Sequence, residues 1–421
     1  MGGRGRALLC WAALCSSLAA AVPAPAPALS REGEDCRTPR GEAGTCRNIN
    51  ACPSLLALVA QRPSQENLSL LNNLRCGFHG SVPIVCCTDG SSQPPAPAPA
   101  PPPTRPTGRP NPPPTQSMTD RPPDGQANST PPDVSGHPNL KLLPQEYCSP
   151  PGNDRIVNGK EADILAYPWI ARLGYLSRSS TSRPVGYHCG GSLINSRYVL
   201  TAAHCIATRT SLYVATVKLG EHTIDKPIDC RVNGTCNPPP IDIDVERTEV
   251  HPLYKPGVAT HHDIALVRLS RPVDFRREEL VRPVCLPVTR ENLNLRLDGQ
   301  ALVAAGWGLT EDNVGSNVLK DVILTVVPLD KCKQVFERPG LQTEIIPQQL
   351  CAGGEAGKNA CNGDSGGPLV MDALSADGLE SKAVLFGIVS FGHNTCTTEG
   401  VPGVYTRVAY YMKWVLDTMT P

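Results

Sequence analysis

The sequence predicts an all-β fold, barrel or sandwich, over residues 156–421, preceded by a small cysteine-stapled module on an extended tether. Three observations carry this. Short β-type runs recur after residue 156 ("YPWIARLGYL", "HCGGSLINSRYVLTAAHC", "DIALVRLSRPV", "VAAGWG", "VILTVVPL", "AVLFGIVSFG", "GVYTRVA"), with turn residues between them. Six cysteines crowd into residues 36–87. The 44 prolines exceed what one globular fold needs, so part of the chain is linker.

At the N-terminus, Arg4 and Arg6 precede an apolar run from Ala7 to about Leu18, followed by small residues. This is the layout of a cleaved secretory signal, assigned to residues 1–21, and it is too short to span a bilayer comfortably. Cys10 and Cys15 leave with it, and sixteen of the 18 cysteines remain. An even number in an exported chain points to disulfides and an extracellular location. The sequons at Asn67, Asn128 and Asn233 fit that compartment, Asn128 being weakened by the Pro131 after its threonine. Lysine plus arginine balance aspartate plus glutamate at 39 each, so no global field recruits nucleic acid, and no membrane span is expected.

Residues 34–88 cannot bury enough apolar surface alone, so disulfides must staple them. Six cysteines permit fifteen pairings, among which spacing does not choose. "PSLLALVAQ" is the one helical patch expected there. Residues 89–147 lack apolar periodicity and read as a flexible, partly polyproline II spacer, in preference to an SH3-type ligand. Residues 148–155 form a connecting segment. The 266 residues from Ile156 suit one large all-β domain. Its expected helices are a turn near Ala202–Cys205, a segment after Pro328 and the terminal "AYYMKWVLDTM".

Three segments of this domain supply the parts of a nucleophilic triad: "LTAAHC" with His204, "HHDIALVRL" with Asp263 and "GDSGGP" with Ser365. A serine hydroxyl is a poor nucleophile until a neutral imidazole takes its proton. A buried carboxylate must hold that imidazole in one tautomer. Singly, each residue has a bland reading as core histidine, turn cap or turn serine. Together, in this order, they point to acyl transfer. His261 and His262 have no second cluster of ligands in the sequence to make them a metal site.

These motifs make residues 156–421 resemble a complete chymotrypsin-family serine protease domain, which implies two six-stranded β-barrels and a C-terminal helix. The resemblance implies His204 as general base, Asp263 as its orienter and Ser365 as nucleophile. It also implies an oxyanion hole from the N–H groups of Gly363 and Ser365. "NDRIVNGKEADILAYPW" resembles a zymogen activation site, with cleavage after Arg155 by a trypsin-like protease and pairing of the new Ile156 amino group with Asp364. The implied disulfides are Cys189–Cys205, Cys332–Cys351, Cys361–Cys396 and Cys148–Cys285, with Cys230–Cys236 closing a small loop. The N-terminal six cysteines, the last two adjacent, resemble the clip domain, whose pattern implies Cys36–Cys86, Cys46–Cys76 and Cys52–Cys87. The whole resembles an arthropod clip-domain serine protease of the Easter or prophenoloxidase-activating type. Implied with it are a protein substrate (another zymogen, prophenoloxidase or a cytokine precursor), a serpin inhibitor, and a role in immunity, melanisation or Toll-type signalling. The resemblance also implies a structural calcium ion, for which Glu221, Asp225 and Asp229 supply hard oxygen ligands; a solvated acidic loop is the alternative.

One position departs from the trypsin-like pattern. Gly392 and Gly403 match the open pocket walls, and Ser390 to Gly392 offer backbone pairing to an extended substrate. The floor, however, reads Asn359-Ala360 where trypsin-like relatives carry aspartate and serine. Some relatives move the carboxylate to the position of Gly403, which here is glycine, so only an inward-turned Glu399 offers a replacement charge. A buried guanidinium without its counter-charge costs about 3–5 kcal/mol, or roughly two to four decades in efficiency. The residue therefore predicts weakened Arg/Lys preference, with Tyr, Phe, Leu or His competing. A catalytically silent clip-domain adaptor is the rival reading, and an antimicrobial role for the cysteine-rich segment is a third.

Overall fold

The computed structural model describes residues 32–38, 41–55, 74–79, 82–88 and 130–421, the last span without 150–160, 165, 180–183, 209, 232–233, 235, 258–259, 278–280, 311–313, 356–357, 375–380 and 394–397. The signal, the tether up to residue 129, Arg155, Ile156, Cys396 and all three sequon asparagines lie outside these residues.

The N-terminal module is a four-stranded antiparallel sheet in the order β1-β2-β4-β3, from β1 (Asp35–Arg37), β2 (Ala43–Asn48), β3 (Arg75–His79) and β4 (Val82–Cys87). Disulfides Cys36–Cys86, Cys46–Cys76 and Cys52–Cys87 tie it, and their sulfurs form much of its small core with Ile49, Leu55, Leu74 and Val85. Residues 53–55 are helical; the rest of the expected helical patch lies outside the described residues.

The large domain is two closed six-stranded barrels. The first runs β10-β7-β6-β5-β8-β9, from β5 (Ile170–Ser177), β6 (Gly186–Leu193), β7 (Tyr198–Thr201), β8 (Leu212–Leu219), β9 (Ile241–Val250) and β10 (Ala265–Leu269). The second runs β11-β12-β13-β16-β15-β14, from β11 (Ala301–Gly306), β12 (Lys320–Val327), β13 (Gln349–Ala352), β14 (Pro368–Leu374), β15 (Ser381–Phe391) and β16 (Gly403–Arg407). Closure leaves no strand edge unpaired. The runs rich in valine, leucine and isoleucine pack inward: every residue of β7 and β10 is buried. Four short helices punctuate the strands: α1 (Ala203–Ile206), α2 (Arg290–Leu293), α3 (Leu329–Phe336, starting after Pro328) and α4 (Met412–Thr418), the last preceded by a 3-10 turn, Val408–Tyr411. Further disulfides join Cys148–Cys285, Cys189–Cys205, Cys230–Cys236 and Cys332–Cys351; Cys361 is also disulfide-bonded.

The expected spacer needs one correction. Residues 130–147 do not continue the tether; they pack on the protease domain, with Val134 and Leu143 buried in the core that holds the first barrel and α4. A 3-10 turn, Pro138–Leu142, is capped by the His137 ring, which accepts the Asn139 N–H at 3.2 Å. Asn139 Nδ2 then donates to the carbonyls of Leu416 (2.9 Å) and Met419 (3.1 Å), groups that the end of a helix leaves without partners. His137 Nε2 lies 2.9 Å from Asp417 Oδ1. The reason is compositional: proline content falls after residue 131, and apolar residues with a capping histidine take over.

Candidate active site

The site forms between the barrels. His204 lies in α1, Asp263 immediately before β10, and Ser365 in the loop before β14. The Cys189–Cys205 disulfide ties β6 to the helix carrying His204, and the N–H of Gly190, next in β6, donates to the Ser365 carbonyl at 2.8 Å. The segments carrying His204 and Ser365 are thereby held against one short stretch of strand.

Asp263 is buried, and every acceptor on it is used. Its Oδ1 takes the backbone N–H of His204 at 2.9 Å, and its Oδ2 takes His204 Nδ1 at 2.8 Å and Ser390 Oγ at 2.5 Å. Its carbonyl accepts Thr406 Oγ1 at 2.7 Å. Because a carboxylate only accepts, Nδ1 carries the ring proton and Nε2 is left as a base. Ser390, expected from the sequence only as a backbone contact for substrate, sits where the β15–β16 register shifts, between Val389 and Phe391. That irregularity turns its hydroxyl onto Asp263. No sequence pattern announces such a contact; an isolated serine in a strand motif was the only signal.

Around Ser365 the backbone is unusual. Gly363 has φ +101°, and a Cβ there would lie 3.0 Å from Gly308 Cα, so the position requires glycine. The N–H of Asp364 donates to Cys361, whereas the N–H groups of Gly363 and Ser365 on either side donate to no acceptor among the described residues. Two such donors side by side form a nest that suits a developing oxyanion. The Asp364 carboxylate accepts the N–H of Gly308 (2.8 Å) and of Cys361 (2.9 Å), and no cation pairs with it among the described residues. Burial pushes its pKa up to about 6, against the opposing pull of those two N–H groups. A cavity of about 220 Å³ opens among Arg172, Tyr187, Trp307, Gly363 and Asp364.

The pocket floor is neutral and self-satisfied. Asn359 Nδ2 donates to the Val401 carbonyl (3.1 Å), and its Oδ1 accepts the Gly403 N–H (3.2 Å), bridging the two sides of the pocket. Ala360 packs against the core of the second barrel. Gly392 is exposed and Gly403 buried, and Glu399 is exposed in a turn rather than turned inward.

The three carboxylates expected around calcium each accept a hydrogen bond from the protein. Glu221 Oε1 accepts the His222 N–H, Asp229 Oδ2 accepts the Thr223 N–H, and the exposed Asp225 accepts Asn317 Nδ2. Burial raises the Glu221 pKa, while Lys218 and Arg172 nearby act to lower it. Asp229 acts in the other direction and raises the Glu221 pKa, so these two buried carboxylates lie within reach of each other's charge.

Residues 156–415 match the trypsin family, and residues 36–87 match the regulatory CLIP domain of proteinases. The chain is a clip-domain serine protease of the trypsin family. It is 36% identical over 392 residues to phenoloxidase-activating factor 1 of Holotrichia diomphalia, covering 92% of this chain and 93% of the relative. It is 38% identical over 393 residues to serine protease 7 of Drosophila melanogaster, covering 92% of each. Among solved structures, the Drosophila Grass clip serine protease of the Toll pathway superposes with a TM-score of 0.57 at 29% identity, covering 92% of this chain and 98% of that one. The two barrels, the small disulfide-rich sheet and the terminal helix are the architecture of that family.

Proposed function

We propose that the chain is a secreted serine endopeptidase, made as a zymogen, cleaved after Arg155 by a trypsin-like protease and acting in an extracellular proteolytic cascade. The observation that carries this reading is the His204 ring, held at Nδ1 by a fully engaged Asp263 beside the nest at Gly363 and Ser365. In this reading His204 Nε2 takes the Ser365 Oγ proton as Oγ attacks the scissile carbonyl, and the oxyanion takes the two nest N–H groups. His204 then gives that proton to the leaving amine, and water repeats the sequence to release the acyl group. Ile156, freed by cleavage, supplies the cation that the half-buried Asp364 lacks among the described residues and so orders the nest. Likeness to a phenoloxidase-activating factor, a melanization protease and a Toll-pathway clip protease supports a place in phenoloxidase activation or Toll-type signalling; a protein substrate (prophenoloxidase, another zymogen or a cytokine precursor) and a serpin inhibitor belong to the same reading. A structural calcium ion held by Glu221, Asp225 and Asp229 belongs to the same family reading, since their carboxylates are the hard oxygen donors it takes.

At the pocket, the bridging amide of Asn359 supports weak Arg/Lys preference. Both of its polar ends are engaged by backbone, and the side chain at this position carries no charge to pair with a guanidinium. Two experiments test the whole. A fluorophosphonate probe should label the protein cleaved after Arg155 and leave a Ser365→Ala variant unlabelled; absence of labelling would favour the silent adaptor. Peptides varying only the residue before the scissile bond should show aromatic or polar side chains competing with Arg. Asn359→Asp should raise Arg selectivity by roughly a hundredfold or more. Efficient Arg cleavage by the native chain, with aromatic residues a hundredfold worse, would sink the pocket reading.

A further inference from the structure

His262 stands directly before Asp263 with φ +57°, and it is one of only three non-glycine residues with positive φ among the described residues. Non-glycine residues rarely adopt this backbone, and it persists where surrounding contacts over-determine it. Here those contacts are visible. The His262 ring stacks on His251, with centroids 5.2 Å apart and planes at 11°. Its Nδ1 lies 3.1 Å from the Tyr411 hydroxyl. His251 is in turn met edge-on by Tyr411 at 5.2 Å and by Trp414 at 5.1 Å. The His251 N–H donates to the Ile264 carbonyl, on the far side of Asp263, at 3.1 Å. His251, the residue after β9, and Tyr411 of the C-terminal 3-10 turn therefore hold the residues that flank Asp263, with Trp414 of α4 backing His251.

We propose that His262 is a positioning residue for the triad: its left-handed backbone, clamped through its ring by His251 and Tyr411, aims both carboxylate oxygens of Asp263 at His204. The arrangement needs neutral imidazoles. Burial raises the Tyr411 pKa, so its hydroxyl remains a donor and His262 Nδ1 must accept. Burial first, then His261, holds His262 below the usual imidazole value, and burial first, then His262, pushes His251 down to about 4. The ionisable groups facing the pair are His261, Tyr411 and Asp263. The inference rests on the catalytic reading above, and its test keeps the two separable.

The test uses full-length protein cleaved after Arg155, a peptide thiobenzyl ester, and the downfield proton resonance of the His204 Nδ1–H. His262→Ala should lower kcat tenfold or more with KM within twofold. His262→Asn, which tolerates the left-handed backbone, should recover part of that loss. Tyr411→Phe keeps the ring but removes the hydroxyl; it should lower kcat three- to tenfold at unchanged KM and move the Nδ1 resonance. If His262→Ala does not fold, Tyr411→Phe decides. Variants with kcat within twofold of native and an unmoved resonance overturn the inference, as does a loss that merely follows the fraction of protein reacting with fluorophosphonate. A native protein without turnover, whose resonance still responds to Tyr411→Phe, defeats the catalytic reading and leaves the positioning role standing.

Discussion

Two carboxylates in one site, Asp263 buried and Asp364 half-buried, are treated in opposite ways. Asp263 receives two N–H donors from His204, the Ser390 hydroxyl and, on its carbonyl, Thr406, all from residues already in place. Asp364 receives two backbone N–H groups and no cation among the described residues, and burial raises its pKa to about 6. The first is a finished structure. The second is an unbalanced charge, stable only as a temporary arrangement, and that makes it suited to a switch operated by a new amino terminus.

The largest expected effect breaks the finished side. Asp263→Asn should reduce kcat/KM of the cleaved protein by about 10⁴-fold, because the amide can turn a donor toward Nδ1 and select the wrong tautomer. A loss under tenfold, measured with the same thioester, would show that the Asp263 contacts do not set the tautomer.

Acidification sharpens the comparison because the two sides respond with opposite sign. For Asp364 the folded pKa of about 6 exceeds the ordinary 3.8, so the uncut chain takes up a proton that the unfolded chain does not. This group's contribution to stability is fully present below the ordinary value and is lost as pH rises through about 6. Uncut Asp364→Asn should therefore be more stable than the native zymogen at pH 7, by about 2–3 kcal/mol, with the gap closing as pH falls toward 4. Thermal melts from pH 7 to 4 measure it, and a constant gap would contradict the unbalanced charge. His251 behaves in reverse. Its folded pKa of about 4 lies below the ordinary 6.5, so its contribution is present above 6.5 and is lost as pH falls toward 4. After allowance for solvent screening this amounts to roughly 2 kcal/mol. His251→Phe should flatten that part of the melting profile; an unchanged slope would remove His251 from the account.

The smallest effect lies away from both carboxylates. Asn139→Ala should cost about 1 kcal/mol by uncapping the end of α4, a fall in melting temperature of about 2–4 °C. An unchanged melting temperature would mean that residues 130–147 pack without supporting the helix.

Much of the site was legible in the sequence because its parts are short motifs whose local backbone is dictated by their own residues. Glycine at 363 permits φ +101°, and the run "GDSGGP" specifies its loop with little help from elsewhere. The all-β texture was equally readable, since alternating apolar runs must find a buried face. The neutral pocket floor needed only the identity of Asn359.

What the sequence did not reveal is whatever depends on closure of the barrels. Ser390 reaches Asp263 across 127 residues because a register shift in β15 aims it there. Asn359 is satisfied by Val401 and Gly403, 42 and 44 residues away. Which donors the carboxylates of Glu221, Asp225 and Asp229 accept, the N–H of His222, Asn317 Nδ2 and the N–H of Thr223, depends on the folded turn that carries them. Residues 130–147 read as tether because a few apolar side chains near prolines carry no period, and they gain a place only once α4 offers its open carbonyls. The sequence by itself determined the chemistry available: a serine, a histidine, two aspartates and an amide where trypsin-like relatives hold a charge. The tertiary structure alone decided which aspartate is completed and which waits, because hydrogen-bond partners and desolvation are properties of the packed barrels and not of any local stretch.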